Sequence, residues 1–198
     1  VLVEEDESLI DWLEHHVVEQ FDVVHGGFGT EPKQVHAPTV RFVLKRVSVG
    51  QNNLLEVATR TLDAIAWGGL YDDVNGGVFR YCAGCDWTDP RVEKLLGINA
   101  SVLELLLNGW AVLGETRYRD RAVELIRYVL ETLADHEAGG FFSSLKKTGL
   151  KNIMTSGRLR KCKQKYIGFF RSEKMEIVSP KLFQFIELSI NLMIKKVR

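Results

Sequence analysis

The sequence predicts an all-α fold, specifically a partial α/α toroid of about three helical hairpins with long Gly-Gly loops at one mouth. A first observation is that the pattern D-x-x-x-G-G-[FV] occurs three times, at residues 22–28, 72–78 and 135–141, each time after a helical stretch. A second is that the connections between the copies, around residues 48–53 and 114–115, are short. Self-similarity at this period indicates stacked supersecondary units, and long loops alternating with short ones are typical of a ring of helix pairs. A helical solenoid would give a similar period, but solenoid turns are usually short.

Five segments carry apolar residues at the spacing of one helix face, which predicts five helices. The second of them opens directly after Pro38, a position where helices often begin. The fourth is apolar nearly all round its middle, so we expect it to lie inside the domain. The predicted helices span residues 5–20, 39–47, 54–67, 92–113 and 117–133. We therefore expect residues 1–144 to form the partial toroid domain.

The composition changes abruptly after residue 144. Residues 145–198 contain 14 Lys and Arg against 3 Asp and Glu, whereas residues 1–144 contain 12 against 23. The helical period of the first part is also lost, except over residues 181–196, where a candidate helix keeps an apolar stripe. We interpret residues 145–198 as a basic, divergent or frameshifted tail. Its cations are dispersed and show no recognised nucleic-acid motif, so binding to nucleic acid is not expected.

Composition and motifs argue against several function classes. No apolar run approaches the roughly 20 residues of a membrane span, and the acidic first residues do not resemble a signal peptide, which predicts a cytoplasmic protein without membrane contact. Three cysteines, an odd number, agree with a reducing compartment. Cys82 and Cys85 form a CxxC outside the strand and helix of a redox site, and the histidines are too scattered for zinc. No phosphate-binding glycine loop is present, so we expect no cofactor and no metal.

The stretch from residue 67 to residue 100 is the densest part of the chain in glycines, aromatic side chains and charged side chains. It is too long for an ordinary connection and too aromatic for disorder, so we expect it to fold down over the domain. Aromatic faces stack on pyranose rings and carboxylates flank the bond or carbon that changes, which makes such a loop a candidate sugar site. For Asp22, Asp72 and Asp135 the alternative is structural, since an aspartate before Gly-Gly commonly bonds its own turn.

Three motifs, in this order along the chain, resemble one known family. The central loop reads GGxYDxxxGGxFRYxxxxxWxxPxxEKxLxxNA, with FDxxxGGFGxxPK upstream and GGFFSS downstream. They resemble the spermatogenesis-associated, thioredoxin-domain-containing family over about residues 21–144. The resemblance implies an (α/α)6 toroid similar to N-acylglucosamine 2-epimerases and six-hairpin glycosidases, after a thioredoxin-like domain that is missing here. Where the family has histidines this sequence has Phe79 and Arg91, which argues against a histidine-dependent acid–base step.

The loop and the resemblance together lead to a carbohydrate-epimerase or glycosidase-like interpretation. In it, Glu93 would be the general acid or base and Arg80 would orient a sugar hydroxyl. Glu93 and Lys94 would lie in the first turn of the fourth helix, either facing the mouth or forming a mere surface pair. The candidate catalytic residues are Asp72, Arg80, Asp86, Glu93 and Lys94. The candidate substrate-binding residues are Lys33, Tyr71, Tyr81, Trp87 and Asn99.

The alternative from another class is a non-catalytic binding or scaffold module, or a degenerate fragment of a larger protein. With about half of the hairpins that the resemblance implies, the ring could not close within this chain. An exposed apolar edge larger than a few hundred Å² is a liability in a monomer. We therefore expect self-association or a partner chain at the open edge of the toroid, besides a carbohydrate ligand at its mouth.

Overall fold

The computed structural model describes residues 7–135 and 140–145. Helices account for most of them, which confirms the all-α prediction, and the helices are α1 (Glu7–Gln20), α2 (Ala37–Ser48), α3 (Leu55–Trp67), α4 (Leu96–Leu113) and α5 (Thr116–Tyr128). The shorter elements are a 3₁₀ turn (Asn52–Leu54), a π-helical turn (Val129–Leu133) and the antiparallel strands β1 (Lys94–Leu95) and β2 (Ser144–Leu145). The tail of residues 145–198 and the candidate helix over 181–196 lie outside the described residues, apart from Leu145.

Helix α4 is the central helix of the described part of the domain. It packs against α2, α3 and α5, which explains why its sequence is apolar nearly all round. At Gly109 the α3 helix comes so close that a β-carbon would lie 2.6 Å from Leu62 Cδ1. Among the described helices, α4 is also the one that is long and apolar enough to cross a membrane by length and composition, with mean hydropathy 1.5. That is weak evidence for a membrane span, because the core helix of a globular domain has the same properties.

The helices form hairpins joined by short turns. α2 leads into α3 through residues 49–54, and α4 leads into α5 through Gly114, whose left-handed φ of 75° ends the helix. The long loops before α2 and before α4 lie together at the other end. There the Lys33 N–H donates to the Cys82 carbonyl at 2.9 Å, and the Cys82 N–H donates to the Lys33 carbonyl at 3.0 Å. α2 and α4 therefore begin at one mouth and pack against each other, in agreement with the predicted toroid.

The fourth helix begins later than the sequence pattern predicts, so the expectation that Glu93 and Lys94 form its first turn was wrong. Leu95 is extended, with φ −98° and ψ 133°, and helical geometry begins only at Leu96. Two interactions hold this segment extended, because β1 pairs with β2 and the Leu96 N–H donates to the Ser143 carbonyl. Side chains alternate along an extended segment, so Glu93 and Lys94 point in opposite directions.

The described residues at the two ends of each of the three Gly-Gly loops make the same closing contacts. In each, the aspartate N–H donates to the carbonyl of the second glycine, at 2.9 Å in all three copies. The second glycines have left-handed φ angles of 78°, 82° and 103°, which residues with a β-carbon rarely adopt. A β-bridge closes each loop, and the bridges pair Phe21 with Phe28, Tyr71 with Val78 and Ala134 with Phe141. The repeated sequence pattern thus corresponds to a repeated set of closing contacts.

Candidate functional site

The first Gly-Gly loop is closed by a buried ion pair. Asp22 Oδ1 accepts hydrogen bonds from two N–H groups of its own turn, and Asp22 Oδ2 accepts one from Lys33 Nζ at 2.6 Å. The Lys33 side chain is fully buried and donates two more hydrogen bonds, to the carbonyls of Gly26 and Gly29. Burial raises the pKa of Asp22, but the Lys33 ammonium and the turn N–H groups together hold that pKa well below its usual range.

The second Gly-Gly loop repeats this arrangement with a different lysine. Asp72 Oδ1 accepts a hydrogen bond from the Asn75 N–H at 2.9 Å, and Asp72 Oδ2 accepts one from Lys94 Nζ at 2.7 Å. Lys94 also donates to the Gly76 carbonyl. Burial raises the pKa of Asp72, but the hydrogen bonds from Lys94 and Asn75 lower it to about 2. Asp72 and Lys94 are both candidate catalytic residues, and here they hold a turn closed. For Asp72 this is the structural role that the sequence offered as the alternative to catalysis.

An aromatic ring covers the glycine pair of each of these two loops. The Trp87 indole lies over Gly27, where a β-carbon would be 2.7 Å from Cζ2, and Trp87 Nε1 donates to the His25 carbonyl at 3.0 Å. The Tyr128 ring lies over Gly77, where a β-carbon would overlap the ring carbons. Sequence reasoning missed Tyr128, because its ring comes from α5 and nothing in the local pattern of that helix marks it.

Four of the five candidate substrate-binding side chains are buried parts of the packing, and one of them is Lys33, which holds the first Gly-Gly loop. Trp87 is 2% exposed and has a left-handed φ of 63°, a strained conformation for a residue with a bulky side chain. Tyr71 is buried beneath Arg121, whose Cζ lies 4.1 Å from the ring centre. Asn99 is fully buried, and its side-chain amide bonds both the N–H and the carbonyl of Val78. Asn99 therefore fastens the second loop to α4.

Four candidate residues are exposed or half-buried on the central loop. Arg80 Nη1 lies 3.0 Å from Glu93 Oε2, and the two side chains are 52% and 33% exposed. The Arg80 guanidinium also lies 5.9 Å from the centre of the Tyr81 ring. Asp86 is exposed and accepts hydrogen bonds from Thr88, which lower its pKa. The structure thus brings Arg80, Tyr81 and Glu93 together, whereas Asp86 is engaged in a turn of its own.

Sequence reasoning also missed a charged residue between the helices. Glu104 is the single charged residue of α4, and its Oε1 atom lies 3.5 Å from Arg41 Nη1 of α2. Burial raises the pKa of Glu104, and Arg41 offsets only part of that effect. A carboxylate in an otherwise apolar helix is costly to bury, so the lone charge was itself the signal in the sequence.

The described residues show neither a metal-ligand cluster nor a disulfide. Within residues 7–135 and 140–145, no group of three or more His, Cys, Asp and Glu side chains is arranged to hold a metal ion. Cys82 is buried, and burial together with Asp89 and Asp86 raises its pKa to about 11. Its thiol therefore stays protonated at neutral pH, while Cys85 is exposed and unpaired with it.

Comparisons with known proteins agree with this fold. No family model matches the chain. Over 131 residues, 64% of the chain, it is 30% identical to spermatogenesis-associated protein 20 of Mus musculus, of which it spans 16%. Over 80 residues, 40% of the chain, it is 30% identical to cellobiose 2-epimerase of Bacteroides fragilis, of which it spans 20%. The structure of cellobiose 2-epimerase from Spirochaeta thermophila matches with a TM-score of 0.58 at 18% identity, over 71% of this chain and 40% of that one.

These similarities confirm the resemblance and the fold class. The chain is homologous to spermatogenesis-associated protein 20, whose family its three motifs resemble. Its described helices form part of an α/α toroid fold like that of the solved cellobiose 2-epimerase. The chain spans less than half the length of each of these relatives.

Proposed function

We propose that the domain binds and processes carbohydrate at the mouth where its long loops meet. The observation that carries this proposal is the grouping of Arg80, Tyr81 and Glu93, which are accessible on the central loop. A guanidinium, a carboxylate and an aromatic face are groups with which proteins bind sugar hydroxyls and pyranose faces. The fold likeness to cellobiose 2-epimerases supports a saccharide such as cellobiose as the ligand.

The buried ion pairs support this site by fixing the backbone beneath it. Because side chains alternate along the extended segment, Lys94 turns inward to Asp72 and leaves Glu93 on the other side, against Arg80. A site whose polar groups are held in place loses little conformational entropy when it binds. In the proposed arrangement Arg80 orients a hydroxyl, Tyr81 stacks against the ring, and Glu93 is the general acid or base of any catalysed step.

Saccharide binding tests the proposal directly. We expect saturation-transfer NMR and titration calorimetry to detect cellobiose binding, and Arg80→Ala to weaken it at least about tenfold. Arg119→Ala is the control, because Arg119 also forms a surface ion pair, with Asp120 on α5. NMR of the anomeric protons follows C2 epimerisation of cellobiose, which Glu93→Gln should abolish. Binding without turnover would support the binding function alone, and no binding of any mono- or disaccharide would refute the proposal.

We also propose a cytoplasmic location. Cys82 and Cys85 are close in sequence, yet they are free cysteines. Free thiols are typical of a reducing compartment. Microscopy of the fluorescently tagged chain should show it in the cytosol, and secretion or delivery to an organelle would contradict this part of the proposal.

A second candidate function is self-association, and it depends on helix α1. Leu9 and Trp12 lie about one turn apart on α1 and are 55% and 58% exposed, an apolar stripe of the kind that another surface usually covers. We propose a second copy of this chain as the cover, since the described helices make up only part of an α/α toroid. Sedimentation velocity should show a dimer that Trp12→Glu dissociates, whereas Val74→Glu, at an exposed loop valine, is the control. A monomer at high concentration would contradict this candidate.

A further inference from the structure

The central loop contains a β-bulge between two extended segments that pair with each other. Cys82 faces Pro90 in an antiparallel β-bridge. Next to this bridge, the Arg91 N–H donates to the Tyr81 carbonyl at 2.8 Å, and the Arg91 carbonyl accepts a hydrogen bond from the Arg80 N–H at 3.3 Å. Arg80 and Tyr81 therefore lie together opposite the single residue Arg91, which is the arrangement of a bulge. Bulges are frequent next to functional sites, where they re-aim a side chain.

The bulge places Arg91 on the face that carries the accessible residues of the mouth. Cys82 is fully buried, and side chains alternate along an extended segment, so Tyr81 points away from the buried side. Arg91 lies across from Tyr81 and shares that face. The bulge turns Arg80 to the same face, since its guanidinium lies 5.9 Å from the centre of the Tyr81 ring. Glu93 follows Arg91 by two residues and contacts Arg80 there.

The two arginines of this face are held to different degrees. Arg80 Nη1 donates to Glu93 Oε2 at 3.0 Å. Arg91 Nη2 lies 3.5 Å from Asp89 Oδ2, longer than the roughly 2.7–2.9 Å of a charge-assisted hydrogen bond. The Arg91 and Asp89 side chains are 53% and 65% exposed, and ion pairs so exposed contribute little because water screens them. The Arg91 guanidinium, which stays charged at neutral pH, is therefore available to a ligand.

We propose that Arg91 is a further binding residue of the mouth and takes the oxyanion of an acidic saccharide, a uronic acid or a sugar phosphate. This inference rests on the proposed function and narrows its substrate class. Carboxylates and phosphates both accept paired hydrogen bonds from one guanidinium, which hydroxyl groups match less well. Because Glu93 already offsets the charge of Arg80, the cation that attracts the oxyanion is Arg91. The Tyr81 ring on the same face remains the stacking surface for the sugar.

Asp89 competes with such a ligand for Arg91, and this competition gives the inference a distinctive signature. Asp89 has a left-handed φ of 52°, which asparagine also tolerates. Asp89→Asn therefore keeps the backbone and removes the competing charge. Arg91→Gln and Asp89→Asn should consequently change the affinity for an acidic sugar in opposite directions. A merely structural role of the ion pair would make both substitutions act alike.

Titration calorimetry with methyl glucoside, methyl glucuronide and glucose 6-phosphate tests the inference. We expect the wild-type chain to bind at least one acidic sugar at least about tenfold more tightly than methyl glucoside. Arg91→Gln should reduce this preference to at most about twofold, whereas Asp89→Asn should tighten acidic-sugar binding by about two- to fivefold. Arg119→Gln and Asp120→Asn, at a surface ion pair on α5, are the matched controls and should keep the wild-type preference. Whether the glucuronide or the phosphate binds more tightly identifies the oxyanion.

The outcomes distinguish this inference from the proposed function. Equal affinity of the wild-type chain for neutral and acidic sugars would overturn the role of Arg91 and leave saccharide binding at the mouth standing. A preference for acidic sugars that survives Arg91→Gln would have the same meaning, and so would an Asp89→Asn variant that binds them no more tightly than the wild type. No binding of any saccharide by the wild-type chain would overturn both proposals.

Discussion

The first and the second Gly-Gly loops meet the same requirements with different residues. In both, an aspartate bonds its own turn, a buried lysine bonds the aspartate, and a ring covers the glycines. In the first loop Lys33 follows its aspartate by 11 residues and Trp87 is the cover. In the second loop Lys94 follows its aspartate by 22 residues, and Tyr128, from a later helix, is the cover.

This difference shows which requirements of the turn are local. The aspartate and the glycines must occupy fixed positions, because the carboxylate bonds N–H groups of its own turn and the glycines adopt left-handed φ angles. The ammonium and the ring can arrive from any neighbouring part of the fold. The covers also differ in chemistry, since Trp87 Nε1 donates a hydrogen bond, whereas the Tyr128 hydroxyl has no partner within the described part of the chain. We therefore expect the first loop to be the more firmly fixed.

Removal of the lysines should have the largest effect and should separate the two loops. Lys33→Met leaves a partly buried carboxylate without its cation, and breaking a buried ion pair in this way costs about 3–5 kcal/mol. Lys94→Met should cost less, because Lys94 donates two hydrogen bonds where Lys33 donates three. Urea unfolding measures both losses, with Lys45→Met at an exposed site of α2 as the control. Equal losses in the two loops would contradict the ranking.

Substitution of the covered glycines by alanine should have the next largest effect on stability. Gly27→Ala and Gly77→Ala each force a left-handed φ on alanine and press its β-carbon into a ring, at a combined cost of about 2–4 kcal/mol. Gly29→Ala is the matched control, because its φ is also left-handed but a β-carbon there would meet nothing within 4 Å. Gly29→Ala should lower the free energy of unfolding only by the cost of the left-handed φ, about 1–2 kcal/mol. A Gly29→Ala variant as unstable as the other two would show that the rings impose no constraint.

Acidic pH should lower the stability of both loops by protonating their aspartates, and this effect should be smaller than that of the glycine substitutions. A carboxylate whose pKa is lower in the folded state stabilises the fold fully above its unfolded pKa, about 3.9, and this stabilisation is lost as the pH falls through its folded pKa. For Asp72 that window runs from about 4 down to about 2. For Asp22, whose pKa is lowered further, the window extends to lower pH. In urea titrations Asp72→Asn should flatten the pH dependence between these limits, and an unchanged slope would count against the ion pair.

The two covering rings should give the smallest effects, of opposite sign. Trp87→Phe deletes the indole N–H and leaves the His25 carbonyl without this hydrogen bond, which should cost about 1–3 kcal/mol. Tyr128→Phe removes a buried hydroxyl that has no partner among the described residues, so it should be neutral or stabilising by up to about 1 kcal/mol. Calorimetric Tm values measure both. A clearly destabilising Tyr128→Phe would reveal a hydrogen bond to that hydroxyl.

Sequence reasoning succeeded where the chemistry is local. The helix predicted over residues 54–67 corresponds to α3 with its preceding turn. It was predictable because a buried helix face imposes a regular spacing of apolar residues that is visible in the sequence. The turn role of Asp72 was also foreseeable, since the aspartate bonds N–H groups only two and three residues away. Glu104 was missed, although its lone charge in an apolar helix is visible in the sequence, because its meaning depends on which neighbouring helix supplies Arg41.

Sequence reasoning failed where the deciding partner is distant along the chain. A tryptophan in a polar loop is typical of an exposed platform on which a sugar ring stacks. The Trp87 indole instead packs over the glycine pair of a loop about 60 residues earlier. Lys94 looks helical by period, yet its segment is extended because it pairs with β2, far along the chain. The grouping of Arg80 and Glu93 at the mouth follows from that extended segment, so a helical assignment could not have placed them together.

The burial of Trp87 gives the domain an optical reporter of its own. Trp12 and Trp67 are exposed, so a water-borne quencher such as acrylamide reaches their indoles and suppresses their fluorescence. Trp87 is shielded, and its emission should be shifted to the blue and resist quenching as long as the two long loops remain joined. Trp110 of α4 is also partly buried against the core, so Trp110→Phe removes its contribution. In that variant the quencher-resistant part of the tryptophan emission reports the assembly of the mouth, without a label, throughout a saccharide titration.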